Sequence, residues 1–392
     1  MVKTVQRLLS IPKRSFFLFG PRSVGKSVWL EQNIANALRF DLLETKTFLE
    51  LSRDPSLLEA KIKAQPKKAW ICIDEIQKIP TLLNEVHRLM GKSDARFALT
   101  GSSARKLKRG GADLLAGRAV TLHMEGFAWP EIRDRFHLEE RLKWGSLPLV
   151  VLHPKEAAEI LQSYVHTYIR EEIKEEGLVR NTEPFIRFLE VAGIVNGQML
   201  NKGNIARDAQ VPRSTVDTYF SILEDTLLGH FLPAFRPQAK VREQASPKFY
   251  WFDAGVARGA AGFLFDPPAA DWLGWSLETL IFHELRVFNQ IRSKHRSLFY
   301  YRTGSGAEID FVIETKKRTS VSKTHVICIE VKHAKRWQRS WETPMRSLAE
   351  TGKIKVEKMI GVYCGKERYH FDGLDVYPVE DFLSELFDGN IF

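Results

Sequence analysis

Residues 15–27 of this chain read Ser-Phe-Phe-Leu-Phe-Gly-Pro-Arg-Ser-Val-Gly-Lys-Ser, an apolar run that leads into the pattern G-x-x-x-x-G-K-[ST]. The apolar run is typical of a buried strand, and the uninterrupted residues after it predict a helix. In such a loop the backbone N–H groups face the β-phosphate, the lysine reaches the β- and γ-phosphate oxygens, and the last hydroxyl ligates Mg²⁺. The sequence therefore predicts ATP or GTP binding by Gly20, Pro21, Arg22, Ser23, Val24, Gly25, Lys26 and Ser27.

Two further apolar segments end in polar residues that suit nucleotide hydrolysis. Residues 69–75 predict a buried strand that ends in Asp74, placed to hold Mg²⁺, and Glu75, placed to polarise the attacking water. A strand that ends in two acids by chance is the alternative. Thr100 and Ser102 follow the next strand and are candidates for sensing the γ-phosphate, although a turn without a role is an equal alternative.

The overall composition favours a polyanionic partner. The 392 residues contain 58 Lys and Arg against 48 Asp and Glu, a net charge of +10. We expect DNA rather than a membrane to be this partner, because the sequence has no apolar run long enough to span a bilayer and no signal peptide or lipidation motif. The three cysteines lie in apolar segments without metal-ligand spacing, as expected in a cytoplasmic protein.

The middle of the chain predicts helices. Residues 127–180 have the pattern of a helical lid. Residues 201–209 and 215–226 predict two helices separated by a turn, as in a helix-turn-helix unit. Either this unit contacts DNA phosphates through Arg207 and Arg213, or it is a purely structural three-helix module.

Polar residues converge in three strands predicted for the last part of the chain, at residues 300–303, 307–314 and 325–332. Side chains two apart in a strand share a face, so Glu330 and Lys332 project together, and Asp310 of the neighbouring strand could meet them. Two carboxylates and a lysine at one point suit metal-dependent hydrolysis, with the lysine acting on water. A solvent-facing Glu-x-Lys pair without metal is the alternative.

The nucleotide-binding motifs resemble those of the AAA+ ATPases, and among them a bacterial and archaeal family that joins an ATPase to a C-terminal winged-helix and nuclease-like region. The resemblance is carried by residues 20–27, 73–77, 99–107 and 115–118 and covers nearly the whole chain. It implies activity as a ring, with Arg118 as a candidate catalytic finger or sensor that contacts phosphate, including that of a neighbouring subunit. The rival candidates are Arg105, Arg109 and Arg170, and a surface arginine without this role is the alternative for each.

The strand residues resemble the PD-(D/E)xK nucleases, although Ile309 stands where that family usually has Pro. The resemblance implies that Asp310 and Glu330 hold Mg²⁺, for which Mn²⁺ should substitute. A further acid from a preceding helix often completes such sites. The helix predicted at residues 272–290 carries Glu278 and Glu284, and Glu278 better matches the family's position.

The sequence thus predicts an α/β protein with four parts: an AAA+ P-loop ATPase core (1–126), a helical lid (127–180), a winged-helix-like module (181–240) and a PD-(D/E)xK restriction-endonuclease-like domain (241–392). The predicted function is an ATP-hydrolysing, homo-oligomeric DNA endonuclease, with a hexameric ring as one arrangement and branched or structured DNA as the substrate. One alternative is a nucleotide-switched DNA-binding protein with an inactive nuclease fold. Another is an ATPase that remodels proteins.

Overall fold

The chain forms a parallel sheet, then a helical middle section, then a mixed sheet. The computed structural model describes residues 5–66, 69–102, 117–169, 173, 179, 182–236, 246–303, 306–320 and 322–392. Three of the candidate arginines, Arg105, Arg109 and Arg170, lie outside these residues. Among the described residues, no helix is both long and apolar enough to cross a membrane.

The first sheet has five parallel strands in the order β2-β3-β4-β1-β5. Every residue of β1, which lies between β4 and β5, is buried, which explains the unbroken apolar run that precedes the P-loop. The P-loop and the acids at the end of β3 lie at the same edge, because carboxyl ends of parallel strands coincide. The elements are β1 (Phe16–Phe19), α1 (Lys26–Asn33), β2 (Leu38–Asp41), α2 (Thr45–Arg53), α3 (Leu57–Lys63), β3 (Trp70–Asp74), α4 (Leu82–Met90), β4 (Arg96–Gly101) and β5 (Val120–His123).

The middle section consists of short helices followed by a two-stranded antiparallel hairpin, β6-β7. The two hairpin strands lie on either side of residue 240, where the sequence suggested a domain boundary. β7 (Lys248–Trp251), beyond that position, pairs with β6 (Gly229–Leu232), before it. The elements are α5 (Leu138–Trp144), α6 (Pro148–Leu152), α7 (Ala157–Ser163), a π-helical turn (Tyr164–Ile169), α8 (Thr182–Ile194), α9 (Lys202–Asp208), α10 (Arg213–Asp225), β6 (Gly229–Leu232), β7 (Lys248–Trp251) and α11 (Ala254–Ala260).

The segment predicted as one lid divides between two hydrophobic cores. Leu161 and Tyr164 pack in the core that also contains Trp29 of α1. In contrast, Phe127 and Trp129 pack in the core of the last part of the chain. The sequence pattern could not show this division, because it marks apolar residues without marking their partners.

The second sheet has six strands in the order β12-β13-β11-β10-β9-β8, and a long helix, α12, packs against it. Phe282 of this helix stacks on Phe311 of β9, with ring centroids 6.0 Å apart. This contact orients the helix on the face of β9, the strand that carries Asp310. The elements are α12 (Ala270–Ile291), β8 (Ser297–Arg302), β9 (Glu308–Lys316), β10 (His325–Lys332), α13 (Thr343–Glu350), β11 (Lys355–Tyr363), β12 (Tyr369–Phe371), β13 (Leu374–Pro378) and α14 (Val379–Asp388).

Candidate functional sites

The P-loop has the backbone shape expected for a phosphate cradle. Gly25 has φ 93°, in the left-handed region that glycine tolerates, and it directly precedes α1. A Cβ atom on Gly20 would lie 2.1 Å from the carbonyl oxygen of Met124, so only glycine fits there without displacing backbone. The buried Lys26 ammonium donates to the carbonyl oxygens of Gly20 and Pro21, at 2.8 and 3.0 Å. A bound phosphate must therefore draw Lys26 away from the loop's own carbonyls.

Asp74 lies beside the P-loop hydroxyl. The Ser27 hydroxyl donates to Asp74 Oδ2 at 2.5 Å, and the Thr100 hydroxyl donates to Asp74 Oδ1. A carboxylate and a hydroxyl are the hard oxygen ligands that Mg²⁺ prefers, so these residues fit a magnesium ion bound together with nucleotide phosphates. When bound, such an ion would neutralise phosphate charge; Ser27 and Asp74 are the residues that would hold it.

Glu75 is hydrogen-bonded to Gln77, a residue to which the sequence analysis assigned no role. The Gln77 side-chain amide donates to Glu75 Oε2 and, at 3.0 Å, to the Ser102 hydroxyl. Glu75 has φ 55°, in the left-handed region that non-glycine residues seldom adopt, and its backbone N–H donates to the Thr100 hydroxyl at 3.2 Å. Gln77 therefore links the proposed catalytic acid to one of the two proposed sensor hydroxyls.

Arg118 lies far from the phosphate edge of its own sheet. It precedes β5, and in a parallel sheet the amino end of β5 is opposite the P-loop. Its guanidinium is exposed and donates to the His87 carbonyl oxygen at 3.2 Å. Within its own chain Arg118 thus has no access to the P-loop, and a phosphate contact is possible only across a subunit boundary.

A second polar site lies where β7, α12, β9 and β10 meet. We call Glu278, Glu308, Asp310 and Glu330 the acidic cluster. Asp310 accepts the backbone N–H of Val331 at 2.8 Å and lies 3.8 Å from the Lys332 ammonium, which also pairs with Glu330. The strand register thus joins Asp310, Glu330 and Lys332, as their alternation in the sequence suggested, and α12 adds Glu278. Glu284 lies elsewhere and accepts the Trp129 backbone N–H at 2.9 Å.

Lys248 is the central cation of this site, and the sequence analysis missed it. Its buried ammonium lies 2.6 Å from Glu308, 3.2 Å from Glu278 and 3.8 Å from Asp310. Tyr250, two residues further along β7, donates to Glu278 at 2.8 Å. The only sequence signal was a lysine at the start of an aromatic strand, because the partners lie 30 or more residues away.

Burial dominates the electrostatics of the acidic cluster. Burial, followed by repulsion from Asp310, raises the pKa of Glu278 to about 7. The same two causes raise the pKa of Glu330 well above its usual value. Burial alone would lower the pKa of Lys248, but Tyr250 and the surrounding acids outweigh it and hold that pKa well above its usual range. Lys248 is thus charged at neutral pH.

The donor atoms of the acidic cluster suit a divalent metal, but their present arrangement does not. Carboxylate oxygens are hard ligands, and within the described residues Glu330 Oε2 is buried without a hydrogen-bond partner. However, no group of three or more His, Cys, Asp or Glu side chains in the described part of the chain is arranged to hold a metal ion. The Lys248 ammonium lies among the oxygens that would have to bind it.

A buried polar junction connects the ATPase sheet to α12. Glu125 pairs with Arg286 at 2.7 Å and contacts His283 at 3.3 Å. Burial would raise the pKa of Glu125, but Arg286 and His283 hold it below its usual value. Burial, followed by repulsion from Arg286, lowers the pKa of His230 to about 3, so this neighbouring imidazole is neutral at pH 7. Glu125 directly follows Met124, the residue that packs against Gly20 of the P-loop.

The predicted helix-turn-helix exposes both of its candidate phosphate contacts. Arg207 and Arg213 are exposed, and Arg207 pairs with Asp208 at 3.1 Å. Asp217, on the second helix, pairs with Lys202. The surface is therefore of mixed charge, which leaves both the phosphate-contact and the purely structural interpretation open.

Comparison with family profiles divides the chain into three regions. Residues 12–133 match an AAA domain, residues 135–265 match a domain of unknown function (DUF8612), and residues 273–382 match another (DUF4143). The second match ends after the β6-β7 hairpin and α11, in agreement with the packing of these elements.

Two mycobacterial relatives are of unknown function. They are the uncharacterized proteins Rv2008c of Mycobacterium tuberculosis and Mb2031c of Mycobacterium bovis. Each is 24% identical to this chain over 311 residues, covering 77% of this chain and 68% of the relative. Their names supply no activity.

Two solved Aeropyrum pernix structures resemble part of the chain. ORC1 in complex with DNA has a TM-score of 0.31 and 12% identity, covering 64% of this chain and 87% of that protein. ORC2 in its ADP form has a TM-score of 0.30 and 11% identity, covering 68% and 88%. Scores this low carry no argument about function. With its domain match and its P-loop geometry, the chain carries an AAA+ ATPase-type nucleotide-binding domain over residues 12–133.

Proposed function

We propose that this protein is a homo-oligomeric, ATP-hydrolysing AAA+ protein whose C-terminal domain cuts branched or structured DNA. The observation that carries the proposal is the convergence of Asp310, Glu330 and Lys332, which Lys248 links to Glu278. Three acids and a lysine rarely converge in a protein interior without a functional reason, since each buried charge is costly.

In the ATPase, the proposed roles follow from the contacts. Lys26 binds the β- and γ-phosphates after leaving the loop carbonyls, and Ser27 and Asp74 supply the oxygen ligands for Mg²⁺. Glu75 polarises the attacking water, positioned by Gln77.

In the C-terminal domain, Lys332 is the residue proposed to act on water. Its ammonium contacts Asp310 and Glu330, and its side chain is 30% exposed, so the residue borders both the acids and solvent. The exposed arginines of α9 and α10 and the net charge of +10 supply a phosphate grip spread over many side chains. Such a grip recognises the DNA backbone rather than its sequence.

Coupling between the two sites is proposed to run through Glu125. Met124 touches the P-loop, and Glu125 binds Arg286 and His283 of α12, the helix that also carries Glu278. A shift of the P-loop on nucleotide binding would therefore pass through residues 124 and 125 to α12, and along α12 to the acidic cluster.

One alternative has direct support. Lys248 neutralises the acidic cluster from within, as expected for a nuclease fold that has lost its metal. In that case the protein is a nucleotide-switched DNA-binding ATPase.

To test the proposal, purified protein is incubated with linear, forked and four-way-junction DNA in the presence of Mg²⁺ or Mn²⁺. Each reaction contains ATP, ADP or no nucleotide, and DNA cutting is measured. We expect the protein to cut forked or junction DNA, and we expect this cutting to require a metal ion and to increase with ATP. DNA that is bound but uncut under all these conditions would establish the nucleotide-switched binder instead.

A further inference from the structure

The Lys248 ammonium occupies a position that the surrounding acids form for a cation. Oxygens of Glu278 and Asp310, which come from α12 and β9, lie 3.2 and 3.8 Å from its nitrogen, and Glu308 lies 2.6 Å away. Only 5% of the side chain is exposed. A lysine this deeply buried is rare and persists because the acids around it compensate for its lost hydration.

Asp310 and Glu278 each have a hydrogen-bond partner besides Lys248. Asp310 accepts the Val331 backbone N–H at 2.8 Å, and Glu278 accepts the Tyr250 hydroxyl at 2.8 Å. Glu330 Oε2, buried nearby, has no hydrogen-bond partner among the described residues. Removal of the ammonium would therefore leave a pre-oriented set of oxygens, with one of them already lacking a partner.

We propose that Lys248 is a built-in cation that fills the acidic cluster in the DNA-free protein and excludes a divalent metal until a phosphodiester draws the ammonium away. Metal exclusion by Lys248 is independent of the cutting activity, whereas the identity of the displacing anion rests on the proposed function. In the absence of DNA, the Lys248 ammonium would thus prevent a divalent metal from binding to the acidic cluster.

The exchange is physically simple. A lysine ammonium is a point charge on a flexible four-carbon stem, so it can leave the cluster by side-chain rotation without movement of β7. A phosphate group offers it a new anionic partner, and a divalent cation replaces its charge among the carboxylates. Each anion thus keeps a cation throughout the exchange.

The test measures Mn²⁺ binding to the full-length, DNA-free protein by titration calorimetry and by the thermal unfolding midpoint. The probe is Mn²⁺ alone, without nucleotide, so that the P-loop contribution is the same for all variants. We expect Lys248→Ala to gain one Mn²⁺ site that the wild type lacks, and Mn²⁺ to raise its unfolding midpoint by several degrees. Lys248→Arg, which keeps the charge, should behave as wild type.

A second substitution assigns the new site. Lys248→Ala combined with Asp310→Asn should lose the gained Mn²⁺ site. If Lys248→Ala is too unstable to purify, refolding yield with and without Mn²⁺ gives the same answer, since the metal should restore folding. Equal Mn²⁺ binding by wild type and Lys248→Ala, or a folding yield unaffected by Mn²⁺, would overturn the inference.

The two proposals fail separately. A gained Mn²⁺ site in Lys248→Ala, together with no cutting of any DNA by any variant, supports metal exclusion and refutes the nuclease. Suppose instead that wild type cuts DNA and binds Mn²⁺ with the same affinity as Lys248→Ala. That result supports the nuclease and refutes metal exclusion.

Discussion

Glu284→Gln should alter how the stability of the protein depends on pH. Glu284 is buried on α12, and burial raises its pKa from 4.5 to about 7. A carboxyl whose folded pKa is raised contributes stability that is fully present below its unfolded pKa and is lost as the pH rises through its folded pKa. The shift of about 2.5 pKa units corresponds to about 3 kcal/mol lost between about pH 4.5 and pH 7.

Glutamine keeps the acceptor oxygen for the Trp129 N–H but carries no charge at any pH. The free energy of unfolding of Glu284→Gln relative to wild type should therefore rise by up to about 3 kcal/mol from pH 4.5 to pH 8. Urea unfolding followed by tryptophan fluorescence at both pH values measures this difference. Glu159→Gln, at an exposed position, is the matched control and should show almost no change with pH.

A difference between Glu284→Gln and wild type that stays constant with pH would refute the reasoning. It would mean that Glu284 is already ionised in the folded protein at pH 5, and that water reaches its carboxylate beside Trp129.

Three further predictions concern the ATPase. Lys26→Ala should abolish nucleotide binding, whereas Glu75→Gln should bind ATP and lose hydrolysis by on the order of 10²-fold or more. Titration with a fluorescent nucleotide measures binding, and phosphate release measures hydrolysis. Equal loss of binding in both variants would contradict these roles. Gln77→Leu should lower kcat by roughly tenfold with little change in KM, because the hydrogen bond from Gln77 to the Glu75 carboxylate is removed. An unchanged kcat would show that Glu75 does not need Gln77 for its position. Arg118→Ala subunits mixed with Glu75→Gln subunits should regain partial hydrolysis, since Arg118 reaches no phosphate of its own chain; a monomeric mass by light scattering in the presence of ATP would exclude this.

Local patterns were sufficient to predict the ATPase part. The run before Gly20 and the segment ending in Asp74 are strands buried on both faces, and such strands are recognisable from continuous apolar sequence. Parallel pairing then brings their carboxyl ends to one edge without further information. Alternation along β9 and β10 similarly predicted that Asp310 and Glu330 would meet.

The parts that escaped prediction depend on long-range packing. Lys248 joins the acidic cluster because the β6-β7 hairpin packs beside α12, a contact that no local periodicity encodes. The same limit explains why the described residues of the segment 127–180, which has one helical pattern, divide between two cores. It also explains why Arg118, close to the motifs in sequence, lies at the opposite edge of the sheet.

The measurement that tests the central claim most directly compares cutting of one four-way-junction DNA by wild type, Asp310→Asn and Glu314→Gln with ATP and Mg²⁺. Glu314 lies on the same strand as Asp310 but outside the acidic cluster, which makes it the matched control. The account predicts that wild type and Glu314→Gln cut the junction, and that Asp310→Asn does not cut it while hydrolysing ATP at the wild-type rate. Cutting by Asp310→Asn at the wild-type rate would contradict the account, as would the absence of cutting by all three.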